Sequence, residues 1–119
     1  MNTEDFVTYE QALALKKLGF NYDCDYYYSE DKELYKYDYH TEYYNGSNND
    51  LPAPTLAQVQ KWLRKEKKLS IEPFSYRKTQ WIMDIINLGT MDCPGMWDKH
   101  TSYEEALSAG INECLKLLK

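Results

Sequence analysis

Thr55-Leu56-Ala57-Gln58-Val59-Gln60-Lys61-Trp62-Leu63, followed by Leu69-Ser70-Ile71-Glu72-Pro73-Phe74-Ser75-Tyr76 and Gln80-Trp81-Ile82-Met83-Asp84-Ile85-Ile86, sets a helix directly ahead of two strands. The helix start is a capping box: the Thr55 hydroxyl and the Gln58 amide can each satisfy a backbone N–H that the helix end leaves unpaired. Leu56, Val59, Trp62 and Leu63 then fall on one helical stripe. The prolines of Pro52-Ala53-Pro54 disfavour helix in the residues that precede them, so the start is bounded from the other side as well. Beyond Leu69 the pattern changes to alternation, and Gln80–Ile86 is an apolar run with β-branched residues, both readings of strand. Pro73 has no N–H to give a ladder, which predicts an edge strand or a bulge at that position.

Two further helices start in the same way. Thr8-Tyr9-Glu10-Gln11 opens one that runs to about Leu18, where Gly19 can take the left-handed position after the cap and Phe20 can fold back as its apolar contact. Ala12, Leu15 and Leu18 are its core face. Ser102-Tyr103-Glu104-Glu105 opens the last helix, expected to reach the C-terminus, with Leu107, Ile111, Cys114, Leu115 and Leu118 as its stripe and Lys116 and Lys119 opposing the negative pole of its macrodipole. The echo between Thr8–Leu13 and Ser102–Leu107 is one good cap used twice; six residues do not make a repeat.

Between the first two helices lies a segment dense in tyrosine. Asn21–Tyr28 and Leu34–Tyr39 flank the polar turn Ser29-Glu30-Asp31-Lys32-Glu33, and Tyr35, Tyr37 and Tyr39 alternate with other residues at strand period, which predicts a hairpin. Asn45–Asp50 is read as an exposed loop of turn formers, and Gly89–Thr101 as the loop that leads to the last helix. The resulting order α-β-β-α-β-β-α predicts a single α+β domain over residues 1–119, an antiparallel sheet of about four strands with three helices on one face.

The chain of 119 residues is large enough for one core. Hydrophobic residues at 43% and charged ones at 28% are ordinary globular usage, so neither disorder nor a membrane span is indicated; the excess is in aromatics, with 12 tyrosines. The N-terminus lacks a basic and apolar leader pattern, and no stretch approaches the roughly 20 apolar residues of a spanning helix, so a cytoplasmic location is expected. Cys24, Cys93 and Cys114 are odd in number and far apart, which fits reduced thiols better than a disulfide framework.

Few constellations carry chemistry. The soft ligands Cys24, Cys93, Cys114, His40 and His100 lack the short spacings of a zinc site, so no metal and no cofactor is expected. Cys93 and His100, with Asp92 and Asp98 beside them, are the right types for a thiol nucleophile and its base but share only a flexible loop, and no carboxylate pair is singled out as acid and base. An enzyme is therefore not expected. Two binding surfaces remain. Tyr26, Tyr27, Tyr28, Tyr35, Tyr37 and Tyr39, beside Asp23, Asp25, Asp38 and Glu42, have the rigid amphipathic rings of interface hot spots, and successive strand residues must send rings to both faces. This predicts a protein partner or a homodimer. The alternative is a phosphate-binding face on the second helix, Lys61, Arg64, Lys65 and Lys68, for nucleic acid or a nucleotide; the net charge of -5 opposes it, and macrodipole complementation and solvation produce similar runs.

Phe6–Ala12 with Leu15–Phe20, Pro54–Leu63, Ile71-Glu72-Pro73 and Ser102–Leu107 together resemble short proteins of Bacteroides-type gut bacteria and their phages or mobile elements, to which no activity is assigned. The matching positions are caps and core residues. The resemblance implies a shared fold and a bacterial or phage origin, and it carries over no site residues.

Overall fold

The computed structural model describes residues 3–36, 51–78, 80–92 and 96–118. A short 3-10 turn (Thr3–Asp5) precedes α1 (Tyr9–Lys17), β1 (Tyr26–Tyr28), β2 (Leu34–Lys36), β3 (Leu51–Pro52), α2 (Leu56–Glu66), β4 (Leu69–Arg77), β5 (Gln80–Asn87), β6 (Met96–His100) and α3 (Tyr103–Leu117). The class is α+β with three helices and antiparallel strands, as the hydrophobic periods predict. The described strands number six rather than about four and form two three-stranded sheets, ordered β2-β1-β3 and β4-β5-β6. The chain divides into two compact units, Met1–Gln58 and Val59–Lys119, with the border inside α2.

In the first unit, α1 is held at both ends by local bonds. Gln11 N–H donates to Thr8 Oγ1 at 3.1 Å and Thr8 N–H to Gln11 Oε1 at 2.8 Å, the reciprocal box the residue types call for. At the other end Gly19 takes φ +90, its N–H donates to the Lys16 carbonyl, and Phe20 N–H reaches back to Leu15, which together make a Schellman stop. Ala12, Leu15 and Phe20 are buried by this turn-back. The predicted hairpin pairs Tyr26 with Lys36, Tyr27 with Tyr35 and Tyr28 with Leu34, and Lys32 at φ 64 carries its turn. β3 adds to the other side of β1, and Val7 N–H donates to the Pro54 carbonyl, so the entry to α1 is tied to the run that leads into α2. Residues 45–50, read as a loop, lie outside the described residues.

α2 begins with the full Thr55–Gln58 box, Thr55 N–H to Gln58 Oε1 at 2.8 Å and Gln58 N–H to Thr55 Oγ1 at 3.1 Å, and buries Leu56, Val59, Trp62 and Leu63 as its stripe predicts. In the second unit β4 is an edge strand, and its pairing shows how Pro73 is accommodated. Leu88 N–H donates to the Lys68 carbonyl at the open end of the β4–β5 hairpin, so the even-numbered residues of β4 bond to β5 and the odd ones point to the free edge. The Ile71 carbonyl, on that free edge, takes Gln60 Nε2 of α2 at 2.9 Å, in agreement with this parity. Pro73 therefore sits where its missing N–H would have faced outward, and no ladder bond is lost; the register shift lies further along, between Ser75 and Arg77.

α3 covers this sheet, and the approach is close at Gly110. A Cβ there would stand 2.6 Å from Ile71 Cγ2 and 3.2 Å from Met83 Cγ. Ile71, Met83 and Ile85 below it and Ala106, Leu107, Ile111, Cys114 and Leu115 on the helix are all buried. Gly89–Thr101 is not loop throughout: Met96–His100 is a third strand, pairing His100 with Trp81 and Met96 with Met83 across a register shift. Ser102 accepts from Glu105 N–H at 3.1 Å, but the return half of that box is missing, because the Glu105 carboxylate accepts from Thr101 Oγ1 at 2.8 Å and lies 3.3 Å from His100 Nδ1.

Candidate interaction surfaces

The tyrosine hairpin divides its rings between two tasks. Tyr26 meets Phe6 edge-on with ring centres 4.7 Å apart, and Tyr28 meets Tyr9 edge-on at 5.7 Å while its hydroxyl donates to the Val7 carbonyl at 2.6 Å. Both are half-buried, and burial, with the Glu10 charge second, pushes the Tyr28 hydroxyl above its ordinary pKa. These two rings fasten the sheet to the segment that opens α1. Tyr27 and Tyr35, on the opposite face by register, are cross-strand partners and stack at 5.7 Å. Such a pair adds roughly 0.2–1 kcal/mol to the hairpin.

Tyr35 is 42% exposed, and its hydroxyl donates to Asp31 Oδ2 at 2.6 Å across the turn. Asp31 Oδ1 accepts from Glu33 N–H, so one carboxylate both shapes the turn and orients the ring. The Tyr35 bond and then the Glu33 backbone bond hold the Asp31 carboxyl below its ordinary value, and the same tyrosine bond followed by the Asp31 charge raises the Tyr35 phenol. Glu30, Glu33, Asp23 and Asp25 are also exposed around the hairpin. The Asp31 contact was not read from sequence; its signal is an acid four residues ahead of a strand tyrosine, across a turn short enough for the side chains to meet. Tyr37 and Tyr39 lie outside the described residues, as do Asp38 and Glu42.

On α2 the cations stand together. Lys61, Arg64 and Lys65 follow at i, i+3 and i+4, and Lys68 comes next, just past the helix at φ 57. All four are exposed, and none has an ion partner among the described residues. Lys67 is used differently, with its ammonium 5.4 Å from the centre of the buried Trp62 ring.

The thiols offer little chemistry. Cys24 and Cys114 are buried and both pushed up to about 12, first by burial and then by the charges of Asp23 and Asp25 on Cys24 and of Glu113 on Cys114. A thiol in that state is a small core residue and a poor nucleophile. Cys93 lies outside the described residues, and with it the Cys93–His100 pairing. His100 has Nδ1 toward Glu105 and 13% of its side chain exposed. In the first unit Ala12, Leu15, Lys16, Phe20, Pro52 and Pro54 line a hollow of about 20 Å³, room for a single water.

Charge is distributed unevenly between the units. Residues 1–58 carry eleven acidic and four basic side chains, whereas residues 59–119 carry eight acidic and ten basic. The net charge of -5 is thus an acidic unit and a slightly basic one. Among the described residues no helix is long and apolar enough to cross a membrane. No protein-family model matches the chain, and neither a curated protein nor a solved structure is significantly similar to it.

Proposed function

We propose that this chain is a small non-enzymatic accessory protein that binds another protein, or a second copy of itself, through the acidic face of its tyrosine hairpin. The observation that carries this reading is the stacked Tyr27–Tyr35 pair, with Tyr35 42% exposed and its hydroxyl held by Asp31. A ring fixed in place by a cross-strand stack and a hydrogen bond gives up little conformational freedom on contact, which is what makes tyrosine effective at interfaces. Tyr26 and Tyr28 serve that surface indirectly, by anchoring the strand that presents Tyr27. The test is the mass of the purified protein by light scattering at low and high salt, alone and with its captured partner. Tyr35→Ala is expected to abolish the dimer or the capture while the fold persists; a monomer whose captures are indifferent to Tyr35→Ala would overturn the reading.

A second reading has its own support. Four exposed cations without ion partners among the described residues, in the unit with the basic excess, suit nucleic acid or a nucleotide. Steep weakening of binding by salt separates this reading from the first.

A further inference from the structure

The cations of α2 specify more than an anion. Building on the second reading above, we infer that Lys61, Arg64, Lys65 and Lys68 form a site for the phosphate backbone of duplex nucleic acid, bound without regard to base sequence. Three observations lead there.

The first is extent. Lys61, Arg64 and Lys65 span roughly 6 Å of the helix axis at the helical rise per residue, Lys68 continues just past the helix end, and all four side chains are exposed. A convex row on a helix surface has no walls to enclose a nucleotide. It can follow a rod that carries a phosphate every few ångström.

The second is what the rest of the helix is doing. Base edges are read by amides, by bidentate side chains placed in a groove, or by stacked rings. The amide of Gln58 is committed to Thr55 N–H and to the Asp23 carbonyl, and that of Gln60 to the Ile71 carbonyl. The ring of Trp62 is buried, with Lys67 over it. Every side chain of α2 that could read a base through an amide or a ring is used within the fold, and of the planar bidentate forks the helix leaves outside a single one, Arg64, in a row of ammonium groups. Contacts of that kind position a protein on a duplex and carry no sequence information.

The third is that these charges are not already neutralised. Glu66 is the one acid on α2, and none of the four cations is ion-paired among the described residues. Binding can therefore gain the full release of counterions from the duplex.

Fluorescence anisotropy with two labelled duplexes of about 20 base pairs and unrelated sequence, from about 25 mM salt upward, tests this. Equal affinity for the two is expected, with log K falling against log salt at a slope of about −3.6 if each of the four cations neutralises one phosphate. The variant Lys61→Glu with Lys65→Glu changes only exposed positions. With an unchanged circular dichroism spectrum, it is expected to lose at least about tenfold in affinity at the lowest salt. A preference of tenfold or more for one duplex, or displacement by a stoichiometric mononucleotide, would overturn the backbone assignment and leave the second reading standing. No binding of either duplex at the lowest salt, binding that the charge reversal does not alter, or equal binding to anionic vesicles would overturn both.

Discussion

Single side chains decide how closely the pieces of each unit approach. Gly110 is the clearest case, because α3 rests on Ile71 and Met83 at a point where a methyl group has no room. Alanine is the better helix former by about 1 kcal/mol, so propensity alone favours Gly110→Ala. The 2.6 Å contact with a branched side chain on a strand outweighs it, and overpacking of this kind costs about 1–3 kcal/mol. The variant is expected to lower the midpoint of denaturant unfolding with an unchanged slope; a higher midpoint would show that the sheet gives way to the helix. Asp31 permits a different test. Its folded pKa is lowered, so the stability it contributes is present above its unfolded value and is lost as pH falls through the folded one. The raised Tyr35 phenol has the opposite sign: its contribution is complete below the ordinary tyrosine value and is lost as pH rises through the folded one. Asp31→Asn should return the Tyr35 titration toward the ordinary value in a spectrophotometric pH series, and should remove the part of the acid sensitivity that Asp31 supplies. A Tyr35 titration that does not move would place the phenol outside the reach of that carboxylate.

At the scale of elements, what the sequence makes legible is what depends on near neighbours. The caps at Thr8 and Thr55 form as written, because both partners lie within one turn, and the Gly19 stop follows from the same local geometry. The strand of residues 96–100 was missed, since Met96-Trp97-Asp98-Lys99-His100 lacks alternation and follows Cys93-Pro94-Gly95; it is a strand only because β5 offers it a partner. The cap at Ser102 was half legible for the same reason, as the competing bonds from His100 and Thr101 arise where β6 meets α3. At the tyrosine hairpin, alternation implies two faces, but it does not tell that Val7 and Phe6 would occupy one of them. The edge at Pro73 was legible, with a consequence that can be measured. A nine-residue edge strand is a template for pairing with another chain, and here its outward groups meet Gln60 at Ile71 and a missing donor at Pro73. Pro73→Val supplies an outward N–H and a residue that favours strands. Concentration-dependent growth in light-scattering mass is expected, with little change in the secondary-structure spectrum; a mass that stays at the wild-type value would show that Gln60 and α2 close the edge without the proline.

On the scale of the whole molecule, the overall charge conceals the feature that matters most. A net -5 reads as a mildly acidic protein, yet residues 1–58 hold eleven acids to four bases, and four of the exposed cations of the second unit follow one another along α2 and just past its end. Like charges held together in a folded unit repel more than they do in an extended chain, so each group opposes folding at low ionic strength. The Asp31–Tyr35 bond involves a single charge, and the Lys116–Glu113 pair at 3.1 Å is an exposed i,i+3 contact of small worth. With eleven acids to four bases in residues 1–58, screening should remove more repulsion than attraction there. Raising the salt from about 0.01 M to about 0.15 M shortens the screening length from about 30 Å to about 8 Å, enough to isolate neighbouring carboxylates from one another. The melting temperature at neutral pH is expected to rise by a few degrees, on the order of what about 1 kcal/mol produces in a domain of this size. Sodium chloride and potassium chloride should act alike, since the effect lies in ionic strength and not in a bound ion. A melting temperature that falls with salt would mean that attraction between unlike charges outweighs repulsion within each group.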